Sequence, residues 1–443
     1  MKDEATEVAG QTAAANITPP SPFLSDLFNP RAHPPQKKRR SPGRRSFSPR
    51  RTIHGLANLG LHFPPPASPS LPEMVEREKS SWHRLPDELV ERILAFLPVS
   101  TVLRCRTVCK HWNSLLSSPT FIDLWAALAP RTLLFLIYHS GGFVAAYLPR
   151  SRRWANLPLY DRCSLDPTQV LLLASSDGLI CFRNRNSDYP TLMICNPLTQ
   201  TRRVLPEMLQ IRYIDIIGMV ADRASGDYRV LVTGTTEPAS SESITEVYDS
   251  TTGTWAHHCR SRHEFLQFWY EVHALFHDGS FYCLATPVNT LQGYRLISYN
   301  LERRNWVDLN VKMPAGDIRC PSLVVCKGKL LLTGKIMEDY LIRSICIWEL
   351  RWESLRWVKV GVVPDEILSK MDMPHSILIQ CHGYGDLLCF STHRGWQSII
   401  HNLTEQTWEW LPDNDMFDGN QPSPVGRNSL ILLPYEPSLS ARV

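Results

Sequence analysis

The sequence predicts an α+β multidomain protein with a disordered N-terminal tail, a small three-helix domain, and a six-bladed β-propeller closed by the C-terminal strand. Three observations support this fold class. Proline and basic residues are concentrated near the N-terminus, apolar residues then recur at helical spacing, and the remaining chain contains a repeat of about 50 residues. The predicted boundaries are residues 1–80, 82–128 and 130–437. A chain of 443 residues is long enough for two or three domains of ordinary size.

The first 80 residues have the composition of a disordered tail. Thirteen of the 34 prolines fall within residues 1–72, where large apolar residues are sparse and follow no period. Such a segment cannot bury enough apolar surface to offset the entropy that it would lose on ordering. Residues 1–72 also hold ten Lys and Arg against four Asp and Glu, a net charge of +6, so the rest of the chain carries −2.

A basic cluster lies within this tail and consists of Lys37, Lys38, Arg39 and Arg40. A short run of Lys and Arg in a flexible chain suits a nuclear-import receptor or a polyanion. The cluster is therefore predicted to be a nuclear-localisation signal, and the alternative is a tail that only adds solubility. The nearly neutral remainder gives no reason to expect nucleic-acid binding by the folded domains.

The sequence predicts a protein of the nucleus, the cytoplasm or both. No N-terminal run is apolar enough for a signal peptide, and no stretch of about 18 apolar residues is present to span a bilayer, so no membrane partner is expected. The twelve cysteines are scattered and form no Cys-x-x-Cys pair. This usage is typical of a reducing compartment.

Residues 82–128 carry the pattern of short amphipathic helices. Pro86 suits the first turn of a helix, and Pro98 ends that helix. A second helix follows, and a third begins near Lys110 and ends before Pro119. One apolar face of the first helix has a residue at every fourth position, namely Leu85, Leu89, Ile93 and Leu97.

Two interpretations of this helical segment remain open from the residues alone. A core of this size is too small to be well stabilised by itself. The segment is therefore either a helical cap packed onto the following domain or a docking module that a partner's groove completes.

The same segment resembles the F-box motif along its whole length. The resemblance rests on the opening Leu85-Pro86, on the later Val108-Cys109-Lys110-His111-Trp112, and on the spacing between them. In that family three helices bind a Skp-type adaptor, which links to a cullin scaffold. The resemblance implies the following adaptor-binding set, in which partner contacts are not separated from internal packing: Leu85, Pro86, Leu89, Ile93, Leu94, Leu97, Leu103, Val108, Cys109 and Trp112.

From residue 130 onward the chain contains a repeat in which a polar turn precedes an aromatic residue. Tryptophans recur 51 residues apart at Trp255, Trp306, Trp357 and Trp408. Trp154 and Arg203 fill the same place further upstream, which gives six units. A period near 50 is typical of kelch propellers, whose blades have four short strands each. The tryptophan is predicted to begin the outermost strand, where it packs between blades.

The end of the chain is predicted to complete the first blade. The first unit has no inner strand before Thr132, and the apolar residues 429–434 can supply one. Closure is expected because an unpaired apolar strand promotes aggregation, and the alternative is an open array of units. An F-box followed by a divergent kelch-like propeller, over residues 82–437, resembles the plant F-box/kelch-repeat receptors.

No catalytic or metal-binding motif occurs in the sequence, so no catalytic residue, cofactor or metal is predicted. His257 and His258 could suggest a metal site. They are adjacent on a predicted strand and so point to opposite faces, which does not suit two ligands of one metal ion. Loops on a rigid scaffold carry recognition, and aromatic residues and arginine dominate binding hot spots. The candidate target-binding residues are therefore Phe265, Phe268, Trp269, Tyr270, Arg394 and Trp396.

The resemblance implies a non-catalytic substrate-recognition subunit of an SCF-type ubiquitin ligase. The F-box is expected to bind the Skp-type adaptor and, through it, the cullin scaffold, while the propeller binds an unknown protein target. Two alternatives stay open. One is a nuclear scaffold or transcription co-regulator that uses the propeller without ubiquitin transfer. The other is an enzyme, since some kelch-like propellers are copper oxidases.

Overall fold

A short helical domain precedes a series of antiparallel sheets. The computed structural model describes residues 85–129, 134–138, 144–149, 152–156, 170–184, 190–199, 201–238, 240, 242–262, 272–286, 293–339, 341–371, 379–392, 398–412 and 431–443. The predicted tail and its basic cluster lie outside these residues. No helix within them is long and apolar enough to cross a membrane.

Four helices build the helical domain, which we define as residues 87–128. They are α1 (Asp87–Ala95), α2 (Val99–Arg106), α3 (Lys110–Leu115) and α4 (Pro119–Leu128). The prediction of three helices was wrong. Pro119 was expected to mark the end of the third helix, but it is the first residue of a fourth helix. Proline suits this first position, and the Ser118 hydroxyl caps the helix by accepting a hydrogen bond from the Phe121 N–H at 3.1 Å.

The described strands fall into units of four that follow one another along the chain. Units 1 and 2 contain β1 (Leu134–Tyr138), β2 (Val144–Leu148), β3 (Arg153–Asn156), β4 (Val170–Ser176), β5 (Leu179–Asn184), β6 (Thr191–Asn196) and β7 (Thr201–Val204). Units 3 and 4 contain β8 (Tyr213–Ala221), β9 (Tyr228–Thr235), β10 (Glu242–Asp249), β11 (Thr254–Arg262), β12 (Val272–His277), β13 (Ser280–Ala285), β14 (Arg295–Asn300) and β15 (Asn305–Asp308).

The remaining strands form units 5 and 6 and one strand at the C-terminal end. They are β16 (Asp317–Cys326), β17 (Lys329–Glu338), β18 (Leu341–Arg351), β19 (Arg356–Val362), β20 (Ile379–Tyr384), β21 (Leu387–Thr392), β22 (Ser398–Asn402), β23 (Thr407–Trp410) and β24 (Ile431–Tyr435). A short helix, α5 (Asp365–Lys370), lies between units 5 and 6.

Each unit is an antiparallel meander whose last strand is at the edge. Units 3 and 4 join into one eight-stranded sheet because β8 pairs in parallel with β12. Unit 1 has the strand order β24-β1-β2-β3, so the last strand of the chain is hydrogen-bonded to the first. In that pairing Leu433 lies opposite Leu136, and Tyr435 opposite Leu134.

The apolar cores lie between neighbouring units. Tyr147 of unit 1, for example, packs in one buried cluster with Cys389 and Ile400 of unit 6. Similar clusters join units 2 and 3, 3 and 4, 4 and 5, and 5 and 6. Because sheets bury apolar faces against one another, this arrangement is propeller-like.

The repeated tryptophan position occurs on the edge strand of each unit. Four residues of sequence separate the last two strands in each of the six units, and the repeated position is the second residue of the edge strand. In unit 2 that residue is Arg202 and not Arg203, which was predicted. The sequence spacing was misleading because two identical residues stand side by side there.

The repeated tryptophans contact the unit before their own. The Trp306 indole N–H of unit 4 donates a hydrogen bond to the Thr245 hydroxyl of unit 3 at 2.9 Å, and that of Trp154 in unit 1 donates to the Pro412 carbonyl, which follows unit 6, at 2.8 Å. Trp408 of unit 6 packs against the buried cluster that units 5 and 6 share. Hence these side chains fasten adjacent units together, as predicted.

The last residue of the four-residue turn has a left-handed backbone. Its φ is 50° at Arg152, 69° at Gly253, 55° at Arg304, 48° at Leu355 and 55° at Gln406. This conformation costs an L-residue on the order of 1–2 kcal/mol, and glycine adopts it without that cost.

We expect Leu355→Gly to raise the free energy of unfolding by up to about 1 kcal/mol, since relief of strain exceeds the added chain entropy. Glu353→Gly, in the same turn at ordinary φ, is the matched control and should lower it. Urea denaturation measures both changes. A loss of stability in both variants contradicts the assignment of strain to Leu355.

A buried carboxylate holds the connection between units 2 and 3. Glu246 on β10 is fully buried and accepts hydrogen bonds from the backbone N–H groups of Leu209 and Gln210, both at 2.7 Å, and of Ile211 at 3.3 Å. One carboxylate thus satisfies three consecutive backbone N–H groups of this connection. Bonds of this type to a charged acceptor are about twice as strong as neutral ones.

Glu246→Gln should therefore lower the free energy of unfolding by about 3 kcal/mol, because the amide places a donor against a backbone N–H. The matched control is Glu242→Gln on the same strand, whose half-exposed carboxylate lies 3.4 Å from Arg260. That change should cost less than about 1 kcal/mol. Equal midpoints for the two variants in urea denaturation contradict the role of Glu246.

Candidate functional site

The inner face of α1 builds the core of the helical domain. Val90, Leu94 and Ala95 are all buried and pack against Phe121 and Trp125 of α4. The Trp125 indole N–H donates a hydrogen bond to the Leu97 carbonyl at 3.1 Å, which fastens the end of α1 to α4. One side of α1 is thus buried in the core of the helical domain.

The outer face of α1 is apolar and open among the described residues. Leu89, Ile93 and Phe96 are 49%, 45% and 56% exposed, and Leu85, just before the helix, is 37% exposed. Spacings of four and three residues place them on one face. Val108, in the turn between α2 and α3, is 65% exposed. We call these five residues the docking face.

An open apolar surface of this kind indicates a partner. Exposed apolar residues are common singly, but several on one helical face mark an interaction site. Covering the exposed part of each side chain gains roughly 1 kcal/mol, so a partner that covered the docking face would gain several kcal/mol.

Polar contacts hold α1 in place beneath this face. The His111 Nε2 lies 2.9 Å from Asp87 Oδ1 and connects α3 with the start of α1. The Ser118 hydroxyl donates to Glu91 Oε1 at 3.3 Å and connects α1 with α4. Burial lowers the pKa of Arg106, whose Nη2 donates to the Leu116 carbonyl at 2.6 Å. The docking face therefore sits on a fixed support.

The structure divides the ten predicted adaptor-binding residues into three groups. Leu85, Pro86, Leu89, Ile93, Val108 and Cys109 are exposed. Leu97, Leu103 and Trp112 are half-buried and pack against the domain core. Leu94 forms the third group and corrects the predicted set. It is only 3% exposed, lies on the inner face of α1, and has no free surface for a partner.

Phe96 was missed by the sequence-based prediction. It follows Ile93 by three residues and Leu89 by seven, so its position in the helical period was the available signal. It directly follows α1 and is more exposed than any apolar side chain of that helix.

The helical domain also contacts the sheets. Leu198, in the turn between β6 and β7, and Leu439, after β24, pack against its core. The Arg223 Nη2 donates a hydrogen bond to the Ala126 carbonyl of α4 at 3.3 Å. Both earlier interpretations thus apply to different sides: one side is a cap on the sheets, and the docking face is left open.

A groove of about 970 Å³ lies where the hairpin turns of units 1, 5 and 6 meet. Its lining mixes cations and carboxylates, namely Arg152, Lys327, Asp386 and Glu409. Cys326 also lines it, but burial raises the pKa of this thiol to about 12, and its Sγ donates to the Gly385 carbonyl at 3.3 Å. The groove therefore offers neither a thiolate nucleophile nor a single charge for one ligand class.

Among the residues that the structure describes, no group of three or more His, Cys, Asp or Glu side chains is placed to hold a metal ion. His257 is exposed, whereas His258 is half-buried with its Nδ1 2.7 Å from the Tyr299 hydroxyl. Burial, with the nearby Arg304, lowers the pKa of His258.

Two further sets of predicted residues lie outside the described part of the chain. They are the target-binding candidates Phe265, Phe268, Trp269, Tyr270, Arg394 and Trp396, and the nuclear-localisation cluster Lys37, Lys38, Arg39 and Arg40. Both sets stay predictions.

Comparison with protein families divides the chain as the fold does. Residues 82–124 match the F-box domain model, and residues 124–379 match the KIB1-4 beta-propeller model. The docking face lies within the first match, and units 1–5 lie within the second.

The chain is similar over most of its length to proteins of Arabidopsis thaliana. F-box/kelch-repeat protein At5g43190 is 26% identical over 368 residues, which cover 80% of this chain and 88% of that protein. Protein UNUSUAL FLORAL ORGANS is 24% identical over 359 residues, covering 75% and 78%. SKP1-interacting partner 15 is 26% identical over 375 residues, covering 75% and 93%.

Proposed function

The chain belongs to the plant F-box/kelch-repeat family, and from this premise we propose that it is the substrate-recognition subunit of an SCF-type ubiquitin ligase. The observation that carries the proposal is the docking face, a row of exposed apolar side chains on α1 inside the F-box match. The helical domain is thus the F-box.

The partner proposed for the docking face is a Skp-type adaptor, which in turn binds a cullin scaffold. One relative that spans most of this chain is named SKP1-interacting partner 15. An apolar helix face that inserts into a partner's groove is a common mode of recognition, with anchors at every third or fourth position. Leu89, Ile93 and Phe96 have that spacing.

We further propose that the sheets form a closed six-bladed propeller that holds the protein target. Pairing of β24 with β1 and the buried cluster between units 1 and 6 support closure. The Tyr435 hydroxyl donates a hydrogen bond to the Gly178 carbonyl at 3.2 Å, which connects units 1 and 2 in the same ring. Closure provides the rigidity from which loops bind a target.

The chain contributes by positioning the target, and the bond between target and ubiquitin is made by another subunit. A target held by the propeller and an enzyme charged with ubiquitin, brought by the scaffold, react at a high effective concentration. The receptor therefore needs two firm binding surfaces and a fixed distance between them, and no catalytic residue of its own.

Reconstitution tests the proposed function. The purified chain is mixed with a Skp-type adaptor, a cullin scaffold and the ubiquitin-transfer enzymes, together with candidate targets captured by proximity labelling in cells treated with a proteasome inhibitor. We expect a stable complex and chain-dependent ubiquitin transfer to at least one candidate. A propeller that captures its targets while the chain binds no adaptor contradicts the proposal and favours the scaffold alternative.

A further inference from the structure

The end of the chain lies between the F-box and the propeller. Residues 436–443 follow β24 of unit 1. They pack against the helices through Leu439 and against units 2 and 3 through Ala441. Five of these eight residues are buried, namely Glu436, Pro437, Ser438, Leu439 and Ala441. The sequence-based boundary at residue 437 was therefore too early.

On the helical side the anchor is Leu439. Its side chain is only 3% exposed and packs in the same buried cluster as Val90 of α1 and Trp125 of α4. An apolar side chain from outside the F-box thus completes the F-box core. The cluster lies on the inner side of α1, away from the docking face.

On the propeller side the anchor is Asn196, which is fully buried at the end of β6. Its side-chain amide donates hydrogen bonds to the carbonyls of Ser438 and Ala441, both at 2.9 Å. The segment also passes close to Gly178, where a Cβ atom would lie 2.4 Å from the Ser438 Cβ. Glycine at φ +86° is therefore required there both by space and by backbone conformation.

Arg223 of unit 3 contacts the C-terminal segment, unit 2 and the F-box. Its Nη1 lies 2.7 Å from the buried Glu436 carboxylate and 3.8 Å from Asp177 Oδ1, while its Nη2 donates to the Ala126 carbonyl of α4. The turn between β8 and β9 thus contacts both the C-terminal segment and the F-box through one guanidinium. A planar group with several fixed donors suits such a junction.

We propose that residues 436–443 are a clamp that holds the F-box in one orientation on the propeller, with Leu439, Asn196 and Arg223 as positioning residues for ubiquitin transfer. Covalently the two modules are joined only between Ala129 and Leu134. One short connection leaves their relative orientation free, and the effective concentration of target near the ubiquitin donor then falls. The role in transfer rests on the proposed ligase function.

The clamp is tested by single-molecule energy transfer on the full-length chain. Two dyes are attached through unnatural amino acids at Asp123 on α4 and at Glu302 in the turn before β15, both exposed. The variants are Leu439→Asp and a chain that ends at Pro437. Leu439→Met is the rescue variant, and Arg442→Ala, an exposed residue of the same segment, is the matched control.

We expect one narrow distance distribution for the natural chain, Leu439→Met and Arg442→Ala, and a distribution roughly twice as wide for Leu439→Asp and the truncated chain. Circular dichroism should show an intact propeller in all of them, because β24 is retained. Equally narrow distributions in all five proteins would overturn the clamp.

Adaptor affinity, measured on the same proteins, separates this inference from the proposed function. Affinity for the adaptor should be equal in all five proteins. In the reconstituted ligase, ubiquitin should reach additional lysines of the chain itself only in the variants that lack the clamp. An unchanged lysine set despite a wider distance distribution refutes the role in transfer. Wider distributions in a chain that never binds adaptor refute the ligase proposal and support the clamp as a structural element.

Discussion

The double substitution Leu89→Asp and Ile93→Asp is expected to lower the affinity for a Skp-type adaptor by at least about a hundredfold, close to 3 kcal/mol. Each change removes roughly 1 kcal/mol of apolar burial and also places a carboxylate in an apolar contact where it has no partner. Because both side chains are about half exposed in the free chain, the fold itself should survive the change. Calorimetric titration of the purified proteins measures the effect.

The control places a single carboxylate at an exposed apolar position of the propeller, outside the docking face. Leu341 on β18 is 57% exposed, so Leu341→Asp makes a comparable change on the propeller. Its adaptor affinity should equal that of the natural chain. If the double variant binds within a few-fold of the control, α1 does not carry the adaptor site.

Leu433→Asp is expected to lower the free energy of unfolding by at least about 4 kcal/mol, a large part of the stability of an ordinary domain. Leu433 is 5% exposed at the centre of β24 and lies opposite Leu136 of β1. A carboxylate there is buried without a partner, and the strand that completes unit 1 is lost from the sheet. Urea denaturation, followed by tryptophan fluorescence, measures the change.

Val307→Asp serves as its control, because Val307 is 44% exposed on the edge strand β15. The same chemical change there should cost about 1 kcal/mol or less. Equal midpoints for Leu433→Asp and Val307→Asp would show that β24 adds little to the fold and would remove the argument for a closed ring.

Periodic features were predictable from the sequence, and features set by tertiary packing were not. The 51-residue spacing of tryptophans requires equal units, and the structure places each of them at one position of the edge strand. The segment after Pro437 shows no such period, and its buried residues pack in two different clusters, Leu439 with the helices and Ala441 with units 2 and 3. Only the folded chain reveals that it packs against the F-box.

The same limit applies to the candidate site. Helical spacing places Leu85, Leu89 and Ile93 on one side of α1 and Val90 and Leu94 on another, but both sides are apolar. Which side faces the core depends on where α4 packs, and the sequence-based analysis did not predict α4. Hence the predicted set did not separate the buried Leu94 from the surface residues, and Phe96 was left out.

Hydrogen exchange of the chain with and without a Skp-type adaptor reports where that partner binds. We expect a complex to form and the adaptor to slow exchange of the backbone N–H groups in α1 and in the turn around Val108, with no slowing in the propeller. Protection confined to the propeller, or no complex at all, would contradict this expectation.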